Sequence, residues 1–353
     1  MPSLRHYNAA LCALLLWAAA VAGQEPAADP DPKAPDPAPT VAKTGGSVPE
    51  VLRTTLEALG ASTGVPDGGG LSWYPRESVR GQSAQMGLTN YQFGVTAPVV
   101  TTDTDLVFAN ASGRVLAIQT NARLETDNAR FPRSFSDYQA GGGFVHQFGA
   151  GWSWGGALNI GTASDRPFNG LAEMTISALA FVRKPDGEKN GWLFYVVSAS
   201  NGQVGRNIPV PGLAYEYHSQ RLTAVLGFPF VTVDYRPTDS VQVEFNYAAL
   251  TDVLFRTSYH LTDHARVFAA YEWTNVAWFR AHRLDKKDQT FLYQQQLEAG
   301  FGWQANQSVD FRLTGGYAFG RFFVENPGLG FNGRNRTDIA PGPFLSGQLE
   351  FKY

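Results

Sequence analysis

The chain of 353 residues has one cysteine, few charges and no long apolar run beyond its first two dozen residues. Each shortage excludes something. Cys12 sits inside an apolar N-terminal stretch. Without it there is no thiol for a disulfide, a thiolate metal site or a cysteine nucleophile. Charged residues make up 17% of the chain, against about 25% in an average soluble domain. The net charge is −3 with the signs scattered, so no basic patch points to nucleic acid and no acidic tail to a polycation. After residue 22 nothing approaches the ~18 consecutive apolar residues of a membrane helix, which excludes a polytopic helical membrane protein.

What is present begins with an export signal. Arg5 and His6 precede an apolar run from Ala9 to Ala22, 14 residues long. A spanning helix needs about 20, so the run fits the h-region of a signal peptide. Ala20-Val21-Ala22 is an A-x-A cleavage site, and the mature chain is expected to start at Gly23 or Gln24. Residues 23–46 are rich in Pro and Ala, and the stretch EPAADPDPKAPDPAPTV reads as an extended linker. Within 47–70, Ser47 and Glu50 form a capping box, Pro49 sits in the first turn and Leu52, Leu56 and Leu59 share a face up to Gly60. This predicts a short amphipathic helix, followed by a Gly-rich lead-in at 67–70.

From residue 71 the hydrophobic period is two. Tyr91, Phe93, Val95 and Ala97 alternate with Asn90, Gln92, Gly94 and Thr96. Similar alternation runs through Trp152–Ile160, Val241–Tyr247, Phe255–Tyr259, Phe291–Trp303 and Val309–Tyr317, and it ends on Leu345, Gly347, Leu349, Phe351 and Tyr353. Period two marks strands whose faces meet different media. Several runs reach ten residues or more, the length a tilted strand needs to cross a bilayer, about 9–11. Aromatics at 13% and 37 glycines suit interfacial girdles and curved strands. Short polar turns alternate with the longer polar segments 121–134, 162–171, 280–289 and 325–342.

The expected fold is all-β, an antiparallel up-and-down transmembrane barrel over 71–353. At roughly 20–28 residues per strand and loop, about 12 strands are expected, within 10–14. The last strand should close against residues 86–97. Leu349, Phe351 and Tyr353 resemble the terminal signal read by the barrel assembly machinery of the bacterial outer membrane. That membrane is the expected location, and its lipid and assembly machinery are the expected partners.

Asn207-Ile208-Pro209-Val210-Pro211-Gly212-Leu213, then Gly227-Phe228-Pro229-Phe230, then Tyr235-Arg236-Pro237 carry a family resemblance. This order resembles a family of bacterial outer-membrane β-barrel proteins known only as a domain of unknown function. The resemblance implies the barrel and transfers no activity. The prolines, which cannot donate to a ladder, belong at strand starts, rims or bulges.

Catalytic patterns are weak. Gly151-Trp152-Ser153-Trp154-Gly155 matches a nucleophile elbow, but its serine lies within an alternating strand rather than at a strand–helix turn. Ser198-Ala199-Ser200-Asn201-Gly202 resembles an outer-membrane phospholipase motif, with Ser198 where the general-base histidine would stand. His260 and His264 lie across a turn rather than on one helix face. No cofactor, metal site or enzymatic activity is expected. The polar face of the alternation, Gln92, Asn159, Glu244, Asn246, Arg256, Glu298, Asp310 and Arg312, is the candidate lumen lining. The leading function is a channel or transporter for small solutes. The alternatives are a structural or adhesive barrel with a filled lumen, a membrane-embedded lipid hydrolase and a secreted soluble β-sandwich.

Overall fold

The period-two segments form a single antiparallel sheet of 17 strands in the computed structural model, which describes residues 67–187, 189–202, 207–248, 252–328 and 330–351. The signal peptide, the linker, the 47–60 helix and Tyr353 lie outside the described residues. The strands are β1 (Gly68–Val79), β2 (Ala84–Thr101), β3 (Asp105–Thr120), β4 (Ser134–Phe148), β5 (Trp152–Ser164) and β6 (Met174–Asp186). Next come β7 (Asn190–Ala199), β8 (Val210–His218), β9 (Leu222–Phe228), β10 (Phe230–Thr238), β11 (Val241–Ala248) and β12 (Asp252–His260). The last are β13 (Ala265–Trp278), β14 (Gln289–Asn306), β15 (Val309–Asn326), β16 (Arg334–Ile339) and β17 (Gly342–Phe351).

From β1 to β16 each strand pairs with the next, and β17 pairs with β1 from Gly68↔Glu350 to Trp73↔Leu345, closing the sheet. β16 and β17 share one position in the barrel. Against β15 their register is continuous, Arg321↔Ile339 leading on to Ala318↔Gly342, and both also flank β1. They are one strand interrupted at Ala340-Pro341, where a proline cannot donate to the ladder and Gly320 opposite takes φ +58°.

The barrel therefore has 16 strand positions, which corrects the expected 12. The excess comes from β8 to β12, which are 9, 7, 9, 8 and 9 residues long. Turns of two to four residues link that stretch on one rim, so it packs strands more densely than 20–28 residues apiece. The closing partner is corrected as well. The C-terminal strand meets β1, not residues 86–97. The Gly-rich lead-in is the start of a strand, and three glycines carry no alternation by which to recognise it. Gly68 is needed there: its φ is +134°, and a Cβ would stand 2.0 Å from the Leu349 carbonyl oxygen. The segment 325–342 is likewise not one loop, since β16 occupies part of it.

The two rims differ. The connections after β2, β4, β6, β8, β10, β12 and β14 are short and share one rim with Asp67 and Phe351, where the Phe351 N–H donates to the Asp67 carbonyl at 2.8 Å. The connections 121–133, 165–173, 200–209 and 279–288 crown the other rim. Height is uneven around the circumference. β2, β14 and β15 each have 18 residues, so one side is a tall wall and β8–β12 form a low one.

The outward face carries exposed Trp73, Tyr91, Phe93, Trp154, Leu158, Leu213, Leu226, Leu297, Leu313, Leu345, Leu349 and Phe351. A belt of this extent is a surface for lipid, not for water. Above it, on the tall wall, the outward face turns polar. Arg76 donates to Gln119 there at 3.4 Å, beside an exposed Gln85.

Candidate functional site

Register fixes which residues face inward. Gln92 pairs with Arg114, Asn159 with Gly141, Glu244 with Arg256, Asn246 with Leu254, Glu298 with Ala270, Asp310 with Glu350, and Arg312 with Gln348. All eight candidate lining residues have the parity opposite to the lipid belt. The structure draws three of them together. Arg256 lies 3.5 Å from Glu244 and 3.8 Å from Glu298, with its guanidinium 5.2 Å from the centre of the Phe268 ring. Asp310 accepts two bonds from Arg266, at 2.8 and 3.0 Å, and Arg312 donates to Glu350 at 2.6 Å. Gln92, Asn159 and Asn246 stand apart from these pairs.

Sequence reasoning missed other members of the same face. Gln294 donates to the Tyr74 hydroxyl at 2.9 Å, Tyr74 donates to Gln296 at 3.2 Å, and Gln296 donates to Glu272. Arg183 donates to Glu216 at 2.5 Å near the short-turn rim. The parity of Glu272 and Gln296 was available, since both alternate with aromatic or apolar neighbours. That of Arg183 was masked, because β6 is apolar on both faces.

The inner wall formed by β4 and β6–β10 is of another kind. Val145, Phe181, Leu193, Tyr195, Ala214, Val225 and Phe230 make an apolar cluster there. The rings lie flat because glycines on the next strand leave room. Phe181 covers Gly155 and Tyr195 covers Gly212, where an added Cβ would meet ring atoms at 2.9 and 2.0 Å. Tyr195 is held down by donating its hydroxyl hydrogen to the Phe228 carbonyl at 2.6 Å.

The long-loop mouth is closed over the tall wall. Inward Met86, Leu88, Leu116, Ile118, Phe135, Trp278, Leu292, Phe323 and Phe344 pack into one core with Leu124 and Phe131 of the 121–133 connection. Phe135 stacks on Trp278 at 5.2 Å. Strands from opposite sides meet above this core: Ser164 and Phe279 form a parallel bridge, and the Phe279 N–H donates to the Ala163 carbonyl at 2.8 Å. Ion pairs lock the cap. Arg280 donates to Glu325 at 2.6 Å and stands 3.6 Å from Asp127, while Arg283 donates to Glu173 at 3.1 Å. Burial alone would lower the Arg280 pKa; the bond and charge of Glu325, with Asp127 and Asp165, outweigh it and hold it above the usual value. Farther out, Phe331 packs against Tyr293 and Phe322, covering the outward face above the lipid belt.

A closed antiparallel barrel, apolar toward lipid and ionic within, defines the architecture. The chain is a closed antiparallel β-barrel. No protein-family model matches it, and no curated protein matches it. Solved structures that it resembles include the β domain of the Bordetella autotransporter BrkA, at 9% identity and TM-score 0.28, over 82% of this chain and 100% of that one. A bacterial polysaccharide outer-membrane secretin matches at 13% identity and TM-score 0.28, over 82% and 100%. The transport unit of the autotransporter AIDA-I from Escherichia coli matches at 9% identity and TM-score 0.24, over 81% and 88%.

The serine motifs land in the sheet and its turns. Ser153 is an inward residue of β5 opposite Gln147 and Arg183. Ser200 follows β7, and its hydroxyl oxygen accepts the Ile176 N–H at 2.9 Å. His260 ends β12 and His264 lies in the turn before β13. Among the described residues no cluster of three or more His, Cys, Asp and Glu forms a metal site.

Proposed function

We propose that the protein is a non-enzymatic outer-membrane channel for small solutes, exported by its signal peptide and inserted by the barrel assembly machinery through Leu349, Phe351 and Tyr353. One observation carries the reading. Barrels of about 16 strands enclose more space than side chains fill and leave an aqueous passage. Inward Thr232, Glu244, Asn246 and Arg256 of β10–β12 are half-buried, while inward Phe230 and Ser258 of the same strands are buried. The motif from Ile208 to Pro237 lies on this same side of the barrel, over β8–β10.

The purified protein in planar bilayers should conduct ions in discrete steps. Absence of any conductance across salt and voltage would overturn the reading. A second reading, a structural or adhesive barrel, draws on the cap of buried ion pairs over the mouth. Background rates in liposome swelling, together with saturable binding of a surface ligand, would favour it.

A further inference from the structure

Among the described residues the cap joins the tall wall to the 165–173 and 279–288 connections and draws no contact from β8–β12. The closing bridge joins the ends of β5 and β13, and Gln289 at the start of β14 reaches over to donate to the Gly202 carbonyl at 3.4 Å. What remains beyond these crossings is the rim of β8–β12. Those five strands are 7–9 residues long, at or below the lower limit of the ~9–11 that cross a bilayer. The tall wall rises out of its lipid belt into a polar collar at Arg76, Gln85 and Gln119. The low wall has no such collar along its described lip. Its outward face stays apolar to the top, through Leu226, Phe228 and Val231, with Phe228 at 65% exposure. The lip is shaped by Pro209, Pro211 and Pro229, which end hydrogen bonding where a taller strand would continue it.

We infer that the lumen opens sideways over this lip into the outer leaflet, and that the solute it carries is a single-chain amphiphile with a neutral or cationic head. The inference rests on the channel reading and names its substrate class. Just inside the lip the passage has two unlike walls. One is apolar and aromatic, built on Phe181, Tyr195, Val225 and Phe230. The other is ionic: Glu244, Glu298, Glu272 and Asp252 face Arg256, Arg114 and Arg312. A molecule with a hydrocarbon tail and a polar head satisfies both at once. A sugar or a simple ion would leave the apolar wall wetted. An anionic head would meet more carboxylates than guanidinium groups.

The experiment uses the full chain, whose mature part has no native cysteine. Val210→Cys at the inner lip, and Leu213→Cys on the lipid side of the same strand, each carry a fluorophore in vesicles of phosphatidylethanolamine and phosphatidylglycerol. Doxyl lipid and aqueous acrylamide serve as quenchers. Doxyl quenching at position 210 within about twofold of that at 213 is expected. Quenching at 210 by acrylamide alone would overturn the sideways opening, while conductance, measured separately, would leave the channel reading intact. Quenching at 210 by neither agent would overturn the opening too, and absent conductance would then remove the channel as well. For the solute, a diazirine-bearing long-chain alkylamine and the matching fatty acid are photolysed with the protein. Severalfold more adduct from the amine on inward Phe181, Tyr195 and Phe230 is expected. Adducts confined to outward Leu213, Phe228 and Val231, or equal labelling by the acid, would overturn the proposed solute.

Discussion

The backbone N–H of Phe279 donates to the carbonyl of Ala163 across the barrel, at 2.8 Å, joining strands that are eight positions apart around the sheet on either side. Trp278, buried to 1% exposure beside it, stacks on Phe135 and anchors the core below. Trp278→Ala should cost roughly 3–5 kcal/mol, the usual penalty for emptying a large buried aromatic site. It should also raise single-channel conductance severalfold, since the space it leaves lies in the cap. Unchanged conductance in a folded variant would show that the cap does not limit flow.

Arg280 and Glu325 test the ionic part of the cap. Both are buried, at 5% and 3% side-chain exposure. Glu325→Ala strands a buried guanidinium, an error worth about 3–5 kcal/mol. Replacing both residues by Met should recover most of that loss, because two charges leave together. Urea titration followed by heat-modifiable gel migration measures both variants; a double variant as unstable as the single one would refute the account.

Gly212 lies under the Tyr195 ring. Gly212→Ala should push the ring into the lumen, at a cost of about 1–3 kcal/mol for overpacking, and lower conductance. Tyr195→Leu in the same chain should relieve both effects. Failure of the second change to rescue the first would mean that the backbone of β8, not the ring, is the obstacle.

Asp67 at the short-turn rim gives the seam a pH dependence. Burial raises its pKa above the usual carboxylate value, offset in part by hydrogen bonds with Thr96 and reinforced by Glu350. A carboxyl with a raised folded pKa holds its proton more tightly when folded. Its stabilising contribution is full below about pH 4 and is lost as pH rises through the folded pKa. Asp67→Asn keeps the main-chain bond to Phe351 and should flatten the stability profile as pH rises above the usual carboxylate range. A variant with the same slope would place the dependence elsewhere.

The alternation in Tyr91–Ala97, Val241–Tyr247 and Val309–Tyr317 was legible because one face meets lipid and the other ions, so composition changes at every residue. The strand count was not, because β8–β12 are hairpins of minimal length whose turns carry prolines that read as loop. β1 was hidden for the opposite reason: its opening glycines are dictated by the seam and bear no side chains to alternate. In the lumen, Glu244, Arg256 and Glu298 were visible as polar residues of one parity, but their convergence depends on the shear between β11, β12 and β14. Arg183 escaped notice because inward Phe181 and Leu179 make both faces of β6 apolar. The cap left no sequence signal at all, since the same inward parity that is polar lower down becomes Leu88, Ile118 and Leu292 above.

The low wall also bears on how the barrel sits among lipids. A rigid cylinder shorter on one side than the other compresses the bilayer along the short side, at fractions of a kcal/mol per Å of mismatch. That strain is relieved if the cylinder leans toward β8–β12, or if two copies share one thinned patch. The molecule's tilt and its choice of neighbours are then set by the length of five short strands.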